Sequence, residues 1–115
     1  MIGYVSVGTN DIKRAAAYYD KLMAEMGAKR IMDFGTFMVW GTGKGKAAFA
    51  IAEPYNKMPA TVGNGVMVAF DVGEPAKVDA MYKKALELGG KDEGPPGDRG
   101  DNYYGAYFRD LDGNK

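Results

Sequence analysis

The chain has neither cysteine nor histidine among its 115 residues. The first absence excludes disulfides and thiolate nucleophiles. The second excludes imidazole acid–base chemistry, and together they remove the Ser-His and Cys-His catalytic arrangements. Also lost are the ligands that zinc, copper and iron favour. Any metal would have to be held by Asp, Glu, Tyr, amide or backbone oxygen, a donor set for magnesium, calcium or manganese. Net charge is absent too: 15 basic residues balance 15 acidic ones, so no overall field draws the protein to nucleic acid or an anionic membrane. No run approaches the ~18 apolar residues of a membrane span, and MIGYVSVGTN turns polar too early for a secretory signal. The expectation is a cytoplasmic protein with no nucleic-acid or membrane partner.

What is present suits one compact domain over residues 1–115, with 46% hydrophobic and 26% charged residues. Residues 4–8, YVSVG, alternate as a two-faced strand does, and Thr9-Asn10-Asp11 offers capping side chains for a helix. Ile12, Ala15, Ala16, Tyr19, Leu22, Met23 and Met26 then recur at spacings of three and four, and Gly27 is suited to ending that helix. Sixty-three residues on, the pattern returns. Met67–Phe70 reads as a strand, Gly73-Glu74-Pro75 as a helix entry, and Val78, Met81, Tyr82, Ala85 and Leu88 as the stripe, ending at Gly89-Gly90. The same offset matches Val5 with Val68, Tyr19 with Tyr82, Lys21 with Lys84 and Gly27 with Gly90, and it lays Tyr4 on Met67. Two amphipathic helices share periodicity without common origin. Because the match runs through strand, cap, helix and terminal glycine, it reads as a duplicated unit.

Lys29–Phe34, Thr36–Gly41 and Ala47–Ala52 read as three further strands of the first unit, residues 1–53, separated by Gly35 and the Gly43-Lys44-Gly45 turn. Glu53-Pro54-Tyr55 closes that unit, and 54–64 reads as a linker. In the second unit, 65–115, Lys91–Glu93 and Asn102–Arg109 read as strands joined by the loop GPPGDRGD, with a turn at Asp112-Gly113. The partner of Ala47–Ala52 is expected after Lys115. That strand lies beyond the sequence, is lacking, or is supplied by another subunit.

Three segments carry a family resemblance: the strand leading into NDIKRAAAYYDKLMAEMG, the strand in GNGVMVAFDV, and NYYGAYFRDLDGNK. The chain resembles, over essentially its whole length, the vicinal oxygen chelate superfamily, which includes glyoxalase I, extradiol dioxygenases, fosfomycin-modifying enzymes and bleomycin-binding proteins. The last segment is similar to the family's DPDGN turn, with Leu111 in place of proline. The resemblance implies an α+β fold in which two β-α-β-β-β units form a cupped, open mixed barrel, here with its last strand missing, and implies a homodimer.

Family members hold a metal with side chains on the first and last strands of each unit, facing the cup. The positions implied here are Tyr4 and Met67, then Ala48 or Ala50, and one beyond Lys115. A phenol with a pKa near ~10 and a thioether make a poor site for a hard cation, so the family's metal-chelate chemistry does not carry over and no cofactor is expected. Tyr4 and Met67 either fill the cup floor or line a ligand cavity. Alternation directs Tyr4, Ser6, Met67 and Ala69 to the cup and Val5, Val7, Val68 and Phe70 to the helices. Small Ala48 and Ala50 would leave space there, with Trp40, Tyr103 and Tyr107 as aromatic walls. Arg99 either gates the cup toward an anionic ligand or is solvated.

Other motifs favour bland readings. GTGKGK at 41–46 lacks phosphate-loop spacing and a following helix, so it reads as a hairpin turn. DLDGN at 110–114 lacks the remaining ligands of a calcium loop and reads as a turn, and Arg99-Gly100-Asp101 is too short to signify adhesion. Three functions remain open. The leading one is a metal-independent small-molecule binding protein with its ligand in the cup or at the dimer interface. The second is a glyoxalase- or dioxygenase-like enzyme recruiting oxygen ligands such as Glu53, Asp92, Glu93 or Asp101. The third is an interaction role in which another chain completes the exposed edge. Bleomycin itself is not implied, since that ligand is cationic and no acidic cleft is visible.

Overall fold

The computed structural model describes residues 1–115, and its element order is β1 (Tyr4–Gly8), α1 (Ile12–Ala24), β2 (Lys29–Asp33), β3 (Phe37–Gly41), β4 (Ala48–Ala52), α2 (Pro75–Glu87), β5 (Lys91–Asp98) and β6 (Tyr104–Arg109). Sixty-three residues separate both the starts and the ends of the two helices, so the sequence offset is also a structural one. Asp11 caps α1 by accepting from the Arg14 N–H, and Pro75 opens α2 where its missing N–H costs nothing.

The first unit is a four-stranded sheet in the order β1-β4-β3-β2. Its β1 and β4 run parallel, pairing Tyr4 with Ala48 through Gly8 with Ala52, and its other neighbours are antiparallel. The turn at residues 41–46 joins β3 to β4, with Lys46 N–H donating to Gly43 O at 3.3 Å. The second unit has a two-stranded sheet, β5-β6. The architecture is α+β with mixed sheets, and no sheet closes on itself.

Two expectations need correction. Met67–Phe70 does not form a strand, because a strand needs a neighbour. Between Met67 and Val72 only Val68 has a backbone partner, its N–H donating to Lys115 O at 3.1 Å. The second unit therefore shows an α-β-β order with an extended, unpaired segment before it. Conversely, the first five residues of the GPPGDRGD stretch expected as loop, 94–98, lie within β5, which reaches Asp98, and only 99–101 remain outside a strand. Its register against β6 slips between Asp92 and Gly94 and again between Gly94 and Gly97, so Pro95 and Pro96 sit where the ladder makes no regular demand for an N–H.

The helices lie side by side, with the Tyr18 hydroxyl donating to Ala85 O at 3.3 Å. The core gathers Ala15, Ala16, Tyr18, Tyr19, Leu22 and Met23 of α1 with Met38, Trp40, Phe49 and Ile51 of the first sheet, and with Met81 and Ala85 of α2. Val5, Val7, Val68 and Phe70 pack against it, which leaves Tyr4, Ser6, Met67 and Ala69 to the opposite face, as strand alternation requires.

The turn after β6 fastens the units together. Asp112 accepts from the Thr9 hydroxyl at 2.6 Å and from Asn10 N–H at 3.0 Å, and the Asn114 amide donates to Gly8 O at 2.9 Å. The linker is held at Asn10, whose side chain donates to Ala60 O at 3.0 Å and accepts from Ala60 N–H at 2.7 Å. Gly8 admits that crossing, since a Cβ there would stand 3.0 Å from Ala60 Cβ. No helix is long and apolar enough to cross a membrane.

Candidate functional site

A concavity with a volume of about 480 Å³ lies between the Met67–Val72 segment and β6, backed by α2. That falls within the usual range of ligand cavities, ~300–1,000 Å³. Of the residues expected from sequence, Met67, Ala69, Tyr103 and Tyr107 line it. Asn102, Tyr104, Gly105 and Lys115 also line it, and Tyr19, Phe49 and Met81 reach it from the core side.

The other expected site residues lie elsewhere. Tyr4 is 59% exposed and meets Phe37 edge-on, with ring centroids 5.8 Å apart. Ser6 is exposed on the same face. Of the two alanines expected to leave space, Ala48 borders a second hollow of about 360 Å³, whereas Ala50 is fully buried. Trp40 is 1% exposed, its indole N–H donates to Asp20 Oδ1 at 2.9 Å, and with Ala48, Met67 and Ala69 it borders that second hollow. Parity on β3 makes Met38 and Trp40 face the helices together. Arg99 is exposed. Its guanidinium donates to Pro95 O and lies 5.4 Å from the Tyr107 ring centroid, tying it into its own hairpin.

Several polar groups at or beside the cavity are engaged with one another. Tyr104 donates to Asp79 at 2.6 Å and Tyr82 to Asp92 at 2.9 Å, while Glu93 is paired with Arg109. The Tyr103 phenol is pushed above its ordinary value by its hydrogen bond with Tyr107, and that of Tyr104 by its bond to Asp79. The Arg109 hydrogen bond and charge hold Glu93 below the usual carboxylate value. The cavity itself is lined chiefly by apolar side chains and phenols, with two carboxylates at its edge: Asp71, which accepts from Gly73 N–H at 2.9 Å, and Glu74 at the start of α2, which makes no side-chain capping bond. Such a lining can bind an apolar ligand and hydrogen-bond it, but it offers no poised base beside a nucleophile.

A metal centre of the kind expected from the resemblance does not fit these residues. Tyr4, Met67, Ala48 and Ala50 cannot form a coordination shell, and no three Asp or Glu side chains converge anywhere. Glu53, Asp92, Glu93 and Asp101 are not brought together as a ligand set.

Sequence reasoning missed Tyr18, whose hydroxyl bridges the helices, and the buried Asp110, which is 5% exposed and anchors the last turn. The spacing Asp110, Asp112, Asn114 was a signal for the second, since such side chains bond their own backbone two residues on.

The family model described as Glyoxalase/Bleomycin resistance protein/Dioxygenase superfamily matches residues 1–115. A glyoxalase/bleomycin resistance protein from Albidiferax ferrireducens T118 is 35% identical and superposes with a TM-score of 0.90, over 99% of this chain and 93% of that one. More distant in sequence are a glyoxalase-related enzyme from Fulvimarina pelagi (16% identity, TM-score 0.76, 99% and 83% covered) and a lactoylglutathione lyase from Agrobacterium tumefaciens (19%, 0.66, 99% and 88%). These two share the fold. None of the curated proteins matches the chain significantly.

Proposed function

The chain belongs to the glyoxalase/bleomycin resistance protein/dioxygenase superfamily, and from that premise we propose that it is a metal-independent binding protein for a small apolar ligand, held between Met67–Val72 and β6. One observation carries this reading: the fold is retained, yet its cavity of about 480 Å³ is walled by Met67, Ala69, Tyr103 and Tyr107 with no set of carboxylates converging on it. Methionine and tyrosine give a deformable apolar surface with hydroxyls at its edge, which suits recognition of an apolar or aromatic molecule.

The test is calorimetric titration with manganese, magnesium, nickel and zinc beside a thermal-shift screen of apolar aromatic compounds. Expected are no stoichiometric metal binding and ligand-dependent stabilisation, about 2.7 kcal/mol at a hundredfold excess over Kd. Tight, stoichiometric metal binding would overturn the reading. The homodimer belongs to the same proposal. Ile31, Met32 and Phe34, at or beside the β2 edge of the first sheet, are each at least half exposed, and apolar groups so placed favour association. Sedimentation equilibrium is expected to return the dimer mass.

A further inference from the structure

An asparagine followed by glycine carries a latent reaction. The backbone nitrogen of the glycine can attack the asparagine Cγ, and a residue without a Cβ leaves that approach open and lets the chain bend to it. Asn64-Gly65 is the one such pair in the chain, and it lies in the segment that joins the two units. Both residues are exposed. They are the central pair of a turn closed by Val66 N–H donating to Gly63 O at 3.3 Å, with Gly65 at φ +93° as the third position of such a turn requires. Gly65 N–H itself makes no backbone hydrogen bond, and a Cβ on Gly65 would meet nothing within 4 Å. Closing the ring swings the peptide between Asn64 and Gly65 out of the turn, and that single long bond is what resists it.

The other four asparagines are held back, each through one of the two groups that must meet. The Asn10 carboxamide is clamped on Ala60, donating at 3.0 Å and accepting at 2.7 Å, and that of Asn114 donates to Gly8 O and Asp110. After Asn56 and Asn102 it is the attacking nitrogen that is engaged: Lys57 N–H donates to Pro54 O and Tyr103 N–H to Gly100 O, each at 2.9 Å. The related pair Asp112-Gly113 is closed at both ends. Asp112 accepts from Thr9 and Asn10, and Gly113 N–H donates to Asp110 O at 3.0 Å.

We propose that Asn64 is a self-modifying residue, converted through a cyclic imide to aspartate and isoaspartate while the other four asparagines persist. Gly65 N gives its proton to solvent base and bonds to Asn64 Cγ; the bond from Cγ to the amide nitrogen breaks, and ammonia leaves. Water then opens the imide. Attack at the side-chain carbonyl restores the main chain and leaves aspartate, whereas attack at the backbone carbonyl routes the main chain through the side chain as isoaspartate. Either product takes the net charge from zero to one negative, and isoaspartate adds a carbon to the main chain just ahead of Met67.

The test incubates the whole protein in mildly alkaline heavy-oxygen water beside the free peptide ATVGNGVMVAF, which copies Ala60–Phe70. Peptide mapping by mass spectrometry reads each asparagine, and fragmentation distinguishes isoaspartate from aspartate. Expected is conversion at Asn64 before any other asparagine, with isoaspartate among the products and a rate within about tenfold of the free peptide, because a loop turn opens at little cost. Asn64→Gln, an exposed change that leaves the fold intact, should lose the labelled product and the more acidic species on ion exchange. Earlier conversion at another asparagine overturns the proposal, as does a folded protein in which Asn64 outlasts the peptide by far more than that margin. Aspartate without isoaspartate would overturn the imide route, since direct hydrolysis of the amide yields aspartate alone.

Discussion

The Tyr19 hydroxyl on α1 donates at 2.7 Å to the carboxylate of Asp110, a buried group 91 residues further along the chain. The same carboxylate accepts from Asp112 N–H and Asn114 N–H, each at 2.9 Å, and from the Asn114 amide at 3.0 Å. One acid therefore shapes the turn that locks onto Thr9, Asn10 and Gly8. Asp110→Ala is expected to lose about 3 kcal/mol or more in urea denaturation, because several buried donors lose their acceptor together. Tyr19→Phe, which leaves Asp110 its other donors, should lose about 1–2 kcal/mol. Equal losses in the two variants would show that the turn does not depend on Asp110.

Burial first, and the Asp110 charge second, raise the Tyr19 phenol well above its ordinary value of 10.0 and raise that of Tyr18 in the same direction. The folded protein holds these protons more tightly than the unfolded chain does. Their contribution is complete below pH 10.0 and is lost as the pH climbs from there through the raised folded values. Stability measured by urea between pH 9 and pH 12 should fall on that alkaline arm, and less steeply in Tyr19→Phe. An unchanged slope in that variant would mean that other tyrosines carry the alkaline transition.

The helices and the first sheet were legible because apolar period, Asp11 cap and Pro75 entry all signal the same elements. The second unit was harder to read. Met67–Phe70 has the residues of a strand, but residue type cannot report whether a neighbouring backbone exists, and here only Val68 finds one. The facing of Trp40 stayed open because FMVWG is nearly uniformly apolar, so that its parity could not be read from alternation. The two glycines matched by the repeat show the same limit: one letter, two physical causes.

Gly27 follows α1 with φ +72° and open space around a Cβ, so it serves a left-handed helix exit. Gly90 has no such backbone. Its Cβ would stand 2.7 Å from both Ala85 O and Tyr18 Oη and 2.8 Å from Arg109 O. Gly27→Ala should cost about 1–2 kcal/mol from the left-handed conformation alone. Gly90→Ala should cost more, about 3 kcal/mol, because two of its three neighbours are backbone carbonyls that cannot swing away. Denaturation midpoints of the two variants decide the order.

Trp40, the sole tryptophan, is buried beneath the Arg30 guanidinium, 5.5 Å from its ring, and Arg30 in turn pairs with Asp20 at 2.6 Å. Its fluorescence therefore reports the core of the first unit. Emission should be blue-shifted, resistant to iodide and unaffected by ligands that raise the thermal midpoint. Trp40→Phe should lower stability by about 1–3 kcal/mol through the lost indole bond and packing. Ligand-dependent quenching would place the binding site at Trp40 instead.

Tyr4 and Tyr103 are matched in exposure, at 59% and 48%, but only Tyr103 lines the cavity, with its ring so close over Gly105 that a Cβ there would meet it at 2.8 Å. Neither ring is buried enough for truncation to cost much stability, so Tyr4→Ala and Tyr103→Ala should each change it by about 1 kcal/mol or less. Their effects on binding should separate. Tyr103→Ala removes one wall of the cavity, and should weaken an apolar aromatic ligand about tenfold, a loss of ~1.4 kcal/mol. Tyr4→Ala should leave that affinity unchanged. The opposite ranking would move the ligand to the exposed face of the first sheet, where the Tyr4–Phe37 pair would form its floor.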